Sequence, residues 1–183
     1  ALFNRLTGSR QKVANYPGVT IERKEGLCSD AGAQRSYRVL DLPGAYSLAA
    51  TSLDEAITRD VILGRLAGEP PPQLIVNVLD ATNLRLGLRL SLELRRLGRP
   101  MVVALNMSDL ARKRGLSIDV DLLSRELGCP VVETIAVQRG GERALLQALA
   151  QQPAQQAAAV TRVARYGYGP FFAPPRKVRP DAG

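Results

Sequence analysis

Met101-Val102-Val103-Ala104-Leu105-Asn106-Met107-Ser108-Asp109 is the stretch that decides how this chain is read. Met101–Leu105 is a continuous apolar run, and a strand with one face in water would alternate instead; a strand covered on both faces is the reading. The run stops at Asn106, and Asp109 follows beyond the strand's end. In an open α/β sheet the ligand binds at that end of the strands. A carboxylate there can accept two hydrogen bonds from N1–H and the N2 amine of guanine. Adenine offers no such pair, and a buried carboxylate left unmatched forfeits on the order of a few kcal/mol.

Working outward, Gln73–Leu79 is a second near-continuous apolar run, and Val131–Ala136 reads as a further strand. Asn77-Val78-Leu79-Asp80 repeats the N-x-x-D pattern, but Asn77 falls inside an apolar strand whereas Asn106 ends one. Position therefore assigns base readout to Asn106 and Asp109, and leaves Asp80 as a cap for the turn Ala81–Asn83. Leu84–Leu94 has leucine at every second residue, which by period alone says strand. Leucine favours helix, Asn83 suits an N-cap, and two parallel strands need a crossover between them. The segment is read as a helix with two stripes, Leu84/Leu88/Leu92 and Leu86/Leu90/Leu94, one packed on the sheet and one awaiting a partner. Ser52 with Glu55 forms a capping box for a helix to about Ala67, and Asp119–Leu127 and Glu142–Ala150 have helical spacing. Upstream, Val19–Lys24 and Arg35–Leu40 read as strands joined by a turn around Ser29–Gly32. The fold expected is a doubly wound α/β domain, a mostly parallel sheet with helices on both faces.

Three further motifs stand at strand ends. Asp41-Leu42-Pro43-Gly44 follows a strand directly; in P-loop GTPases an aspartate here holds Mg²⁺ and the glycine N–H reaches the γ-phosphate. Thr20, in Pro17-Gly18-Val19-Thr20, stands where a switch loop completes the Mg²⁺ shell and touches the γ-phosphate. Ala136-Val137 closes the last strand where GTPases aim backbone N–H groups at guanine O6. In this order the four motifs point to a P-loop NTPase-like GTPase fold. G-x-x-x-x-G-K-[ST] occurs nowhere, and Ala1–Gly8 reads like the helix that follows that loop. The expectation is a front truncated or incompletely ordered, and weak GTP binding by these residues alone, since that loop supplies most of the phosphate contacts.

The 183 residues suit one domain, and 45% apolar content is enough for a core. Aromatics are scarce, which argues against a base-stacking platform. No apolar run approaches the roughly 20 residues needed to span a bilayer. Cys28 and Cys129 make no disulfide framework, and a reducing cytosol is expected. Of the net charge of +8, half lies beyond Pro153, where Arg162, Arg165, Arg176, Lys177 and Arg179 face Asp181 alone. That Ala/Gln/Pro/Gly-rich stretch, 151–183, is read as a basic tail or linker after a domain at 1–150, with no nucleic acid expected.

The strings LFNRLTGSRQKVANYPGVTIERKEG, LDLPGAYSL followed by TSLDE, VNVLDATNLRLGLRLSLEL, VALNMSDLA and LGCPVVETIAVQRGG resemble the GTPase domain of the ferrous iron transport protein B family, from Ala1 to about Ala150. Proline inside D-L-P-G and the Asn-Tyr-Pro-Gly-Val-Thr switch are particular to it. The resemblance implies the cytosolic domain of a bacterial inner-membrane Fe(II) importer, binding and slowly hydrolysing GTP with Mg²⁺ and aided by K⁺. It implies Thr20 and Asp41 on the metal, and Val19, Leu42, Pro43 and Gly44 around the phosphates. Asn106, Met107, Ser108, Asp109, Ala136 and Val137 fall around the base, with Thr20 and Gly44 nearest the chemistry. Partners implied are guanine nucleotide, the transmembrane part of the transporter and a further copy of the chain. Two other readings stand beside it: a ribosome-associated GTPase of the Era or EngA kind using the basic tail, and a nucleotide-free scaffold.

Overall fold

The computed structural model describes residues 2–8, 11–30 and 35–155. Along them run α1 (Leu2–Thr7), β1 (Gln11–Asn15), β2 (Glu22–Asp30), β3 (Arg35–Asp41), α2 (Leu53–Leu63) and β4 (Ile75–Asp80). Then follow α3 (Leu84–Arg95), β5 (Met101–Asn106), α4 (Ser108–Lys113), α5 (Val120–Leu127), β6 (Val131–Thr134) and α6 (Arg143–Gln155). The charges beyond residue 155 lie outside the described residues.

β4, β5 and β6 pair in parallel, in that order, with Asp80 opposite Asn106 and Asn106 opposite Thr134. β5 is the middle strand and is buried from Met101 to Leu105. Its alternate side chains feed two cores, as strand geometry requires. Met101, Val103 and Leu105 join Leu88 and Leu94 of α3 and Leu123 and Leu127 of α5. Val102 and Ala104 join Leu2 of α1 and Leu145 and Leu149 of α6 on the other face. The parallel sheet is thus sandwiched between helices, as the unbroken apolar run requires.

β1, β2 and β3 form a second sheet, antiparallel throughout, with Lys24 opposite Asp41. β1 is missing from the sequence-based reading: exposed at four of its five positions, it carries little apolar signal. β2 begins at Glu22 rather than Val19, because Gly18 at φ 77° turns the chain just before it. It then continues to Asp30, past the expected start of the turn. β4 starts later than expected, at Ile75, and β6 ends earlier, at Thr134.

α3 is a helix, as expected, but its two leucine stripes are not what it buries. The buried residues are Leu88, Leu90, Ser91 and Leu94, while Leu86 and Leu92 stay 48% and 38% exposed. Steps of four drift around a 3.6-residue helix, so each stripe crosses the boundary of the buried face. Asn83 sits at the cap position yet makes no side-chain cap bond. A Cβ at Gly87 would lie 2.4 Å from Leu79 Cδ2, so glycine lets α3 approach β4 closely. There Asn77, buried inside β4, donates its Nδ2–H to Ser91 Oγ at 2.7 Å and braces the strand to α3. Asp80 Oδ1 accepts from Thr82 N at 2.7 Å, the turn cap expected of it.

α2 opens with Ser52 Oγ accepting the Glu55 N–H. Glu55 reaches back to the N–H of Thr51, at 2.8 Å. The helix ends at Leu63 rather than Ala67, because Gly64 adopts φ 71° and Arg65 N–H closes on Asp60 O at 2.7 Å. α6 continues five residues past Ala150, to Gln155.

Candidate functional site

The sequence-predicted site residues fall into two groups, each tied down by contacts distant in sequence. The first lies at the C-terminal ends of β5 and β6. Asn106 Oδ1 accepts the Ala136 N–H at 3.0 Å and, more weakly, the Thr134 hydroxyl at 3.4 Å. Met107 sits at φ 62°, a left-handed conformation uncommon for residues with side chains, and turns the chain from β5 directly into α4. That turn sets Asp109 in the first turn of α4, half-buried. Ser108 is buried and its hydroxyl points to the Thr134 carbonyl at 3.5 Å.

Ala136 and Val137 begin a closed loop. Gln138 N–H bonds Ile135 O at 2.9 Å, Gly141 N–H bonds Gln138 O at 3.2 Å, and Ile135 N–H bonds Gly141 O at 3.3 Å. A Cβ at Gly141 would sit 2.2 Å from the Ile135 carbonyl oxygen, so only glycine fits. Arg5 of α1 completes the loop: its Nε donates to Ala136 O at 3.1 Å and its Nη2 to Val137 O at 2.8 Å. The Ala136 N–H is given to Asn106 Oδ1 in this structure. Val137, 75% exposed, is the residue of the pair turned to solvent.

The second group surrounds the ends of β2 and β3. Val19 and Ile21, on either side of Thr20, pack with Leu40 and Leu42, on either side of Asp41, against Tyr16, Ile57 and Val61. One apolar cluster therefore holds both expected metal-side residues, which are themselves exposed. An open depression of about 610 Å³ lies beside Thr20, lined by Asn15, Tyr16, Gly18, Val19, Thr20 and Leu53. Although Asp41 is exposed on one side, partial desolvation by the surrounding chain raises its carboxyl above its ordinary pKa, and Lys24 across the strand pair opposes the rise. Burial likewise pushes the Tyr16 phenol up to about 12. Asp41-Leu42-Pro43-Gly44 leaves β3, and Thr58 of α2 fixes it by donating to the Pro43 carbonyl at 2.7 Å. A Cβ at Gly44 would meet nothing within 4 Å. Packing therefore does not demand glycine there.

Leu42, Ala45 and Leu48 pack on the same core as Ala111 of α4, which links the two groups. Arg5, Thr58 and Thr134 are missing from the sequence-based reading. None belongs to a local motif; each acts through a partner far away in sequence.

This fold, with a D-x-x-G loop leaving one strand and a braced N-x-x-D loop leaving another, is that of a GTPase-type nucleotide-binding domain. The family model described as Ferrous iron transport protein B matches residues 1–149, and the chain belongs to that family. It is 46% identical over 159 residues to the Fe(2+) transporter FeoB of Escherichia coli strain K12, an alignment covering 85% of this chain and 20% of that protein. It is similar to the cytosolic domain of the T. maritima FeoB iron transporter in its GMPPNP form, with TM-score 0.74 and 38% identity, covering 83% and 59% of the two chains. It is also similar to the separate G domain of that transporter, with TM-score 0.70 and 38% identity, covering 81% and 86%. The chain thus spans about a fifth of the length of the curated relative. No helix among the described residues is long and apolar enough to cross a membrane.

Proposed function

We propose that this chain is the guanine-nucleotide-binding, GTP-hydrolysing domain of a bacterial Fe(II) uptake transporter, working at the cytoplasmic face of the inner membrane. The observation that carries the proposal is the Asn106–Ala136 hydrogen bond. It locks the loop bearing Asp109 to the loop bearing Val137, the arrangement two-sided reading of a guanine edge requires. Asp109 accepts from N1–H and the N2 amine, and the backbone around Val137 meets O6. Met107 and Ser108 set the turn between Asn106 and Asp109.

On the phosphate side Gly44 serves as the γ-phosphate contact. Glycine without a packing reason suits a position where backbone must approach a ligand closely. Val19, Leu42 and Pro43 shape the loops around it. Thr20 and Asp41 supply a hydroxyl and a carboxylate, oxygen donors that fit Mg²⁺, a hard cation that keeps several waters. When bound, Mg²⁺ supplies neutralisation of charge on the phosphate oxygens. The family resemblance adds K⁺ as an accessory cation. Ala45 has no group to orient water, so positioning falls to backbone groups near Thr20 and Gly44, in keeping with slow turnover. The partners are the transmembrane part of the same transporter and a second copy of this chain. The nucleotide domain extends through α6 to Gln155, five residues past the boundary expected at 150, and the basic stretch after it serves as a tail or linker.

The test is made on the protein translated from the gene's start codon. Mg²⁺-dependent GTP hydrolysis is expected, with Asp109→Asn moving preference toward xanthine nucleotide. A protein indifferent to GTP, with Asp109→Asn silent, overturns the proposal.

A further inference from the structure

Glu93 is the acidic residue of a helix otherwise built from leucine, arginine, serine and glycine, and both its oxygens are engaged by the segment that follows Gly44. The Ser47 hydroxyl donates to it, 3.1 Å from Oε1 and 3.0 Å from Oε2. The Leu48 N–H donates to Oε2 at 2.5 Å. Ser47 Oγ in turn accepts the Ala49 N–H at 3.0 Å, so two backbone amides are tied to α3 through one carboxylate. Arg89, one turn back on α3, donates its Nε–H to Oε1 at 3.0 Å. Burial alone would raise the Glu93 pKa, but Leu48 N–H, Arg89 and Ser47 together hold it below the usual carboxylate range. It therefore stays charged at neutral pH, and hydrogen bonds to a charged acceptor are the stronger kind.

The Gly44 loop is pinned at its other end too, by Thr58 on the Pro43 carbonyl. Gly44 and Tyr46 are exposed between the two pins, while Ser47 is buried at one of them. A short span fixed at both ends gives the Gly44 N–H a defined position.

We infer that Glu93 is a positioning residue for the Gly44 loop, holding Ser47–Ala49 against α3 so that the Gly44 N–H is presented to the terminal phosphate. Glu93 itself touches no nucleotide; a change at the phosphate reaches α3 through this latch. The inference rests on the reading of Gly44 as a γ-phosphate contact.

The latch is tested without nucleotide, on the 183-residue chain, by amide hydrogen exchange at Leu48 and Ala49. Glu93→Ala is expected to speed exchange there about tenfold or more, the loss of one charge-assisted hydrogen bond. Glu93→Gln is expected to stay within about threefold of wild type, because its amide oxygen still accepts the Leu48 N–H and its NH₂ can serve Ser47. Ser47→Ala removes a single hydroxyl and is expected to speed exchange at Ala49, which keeps the test alive if Glu93→Ala does not fold. Unchanged exchange in Glu93→Ala, or in Ser47→Ala where the former does not fold, overturns the latch. In the protein translated from the start codon, Glu93→Ala is expected to lower kcat about tenfold with KM within about twofold, and Glu93→Gln to restore it. A raised KM with unchanged kcat overturns the positioning role. Wild-type protein that ignores GTP defeats the nucleotide reading, and the positioning role with it, while the exchange result still stands for the latch.

Discussion

Replacing Asn106 by alanine removes the Oδ1 that accepts the Ala136 N–H at 3.0 Å and the Thr134 hydroxyl at 3.4 Å. Ala136 is only 4% exposed, so its N–H cannot turn to water when the acceptor goes. An orphaned buried donor costs about 1–3 kcal/mol. The Thr134 bond is long and adds little, which puts the expected loss near 2 kcal/mol. For a chain of this length that corresponds to a fall in Tm of roughly 4–8 °C. Urea and thermal unfolding followed by circular dichroism give the number, and amide exchange at Ala136 gives its location. Thr134→Val keeps volume and drops only the weak bond, so it should lose less than about 1 kcal/mol. If Asn106→Ala stays within about 0.5 kcal/mol of wild type, or Thr134→Val proves the worse of the two, the brace does not hold the loops together.

Three further outcomes follow from the same geometry. Gly141→Ala drives a Cβ to within 2.2 Å of the Ile135 carbonyl, and the closed loop should open at a loss of about 3 kcal/mol, seen as faster exchange across residues 135–141. Arg5→Ala frees the Ala136 and Val137 carbonyls from α1 and should lower stability by about 1–2 kcal/mol in denaturant titrations. Cys129, pushed up to about 11 by burial, should react with a thiol reagent at pH 8 about two orders of magnitude more slowly in the folded chain than in denaturant. The ratio holds below the ordinary thiol value of 9.0 and narrows between there and about 11, as first the unfolded and then the folded thiol ionises.

The parts legible in the sequence are those encoded locally. Met101–Leu105 names its own burial, because an apolar run without alternation has no other comfortable place, and the structure buries all of it. Gly44 and Asn106 were visible because their motifs sit immediately after strands. β1 was invisible because an edge strand made mostly of exposed residues looks like a loop until its partner is known. α4 is hidden in the sequence for a different reason: it is six residues long and starts from a left-handed Met107, which no propensity announces. The leucines of α3 misled in detail, since strict four-residue stripes cannot follow a 3.6-residue face. Arg5 and Glu93 were illegible in principle, because what they do depends on carbonyls and amides that only the folded chain brings near.

The reading of this chain as a guanine-nucleotide domain turns on what the Asp109 carboxylate accepts. Affinities of the start-codon protein for guanosine and xanthosine diphosphate, before and after Asp109→Asn, measure that directly. Wild type should favour the guanosine form and Asp109→Asn the xanthosine form, a reversal worth a few kcal/mol on the order of one matched pair of charge-assisted hydrogen bonds. Equal affinities before and after the substitution would contradict it.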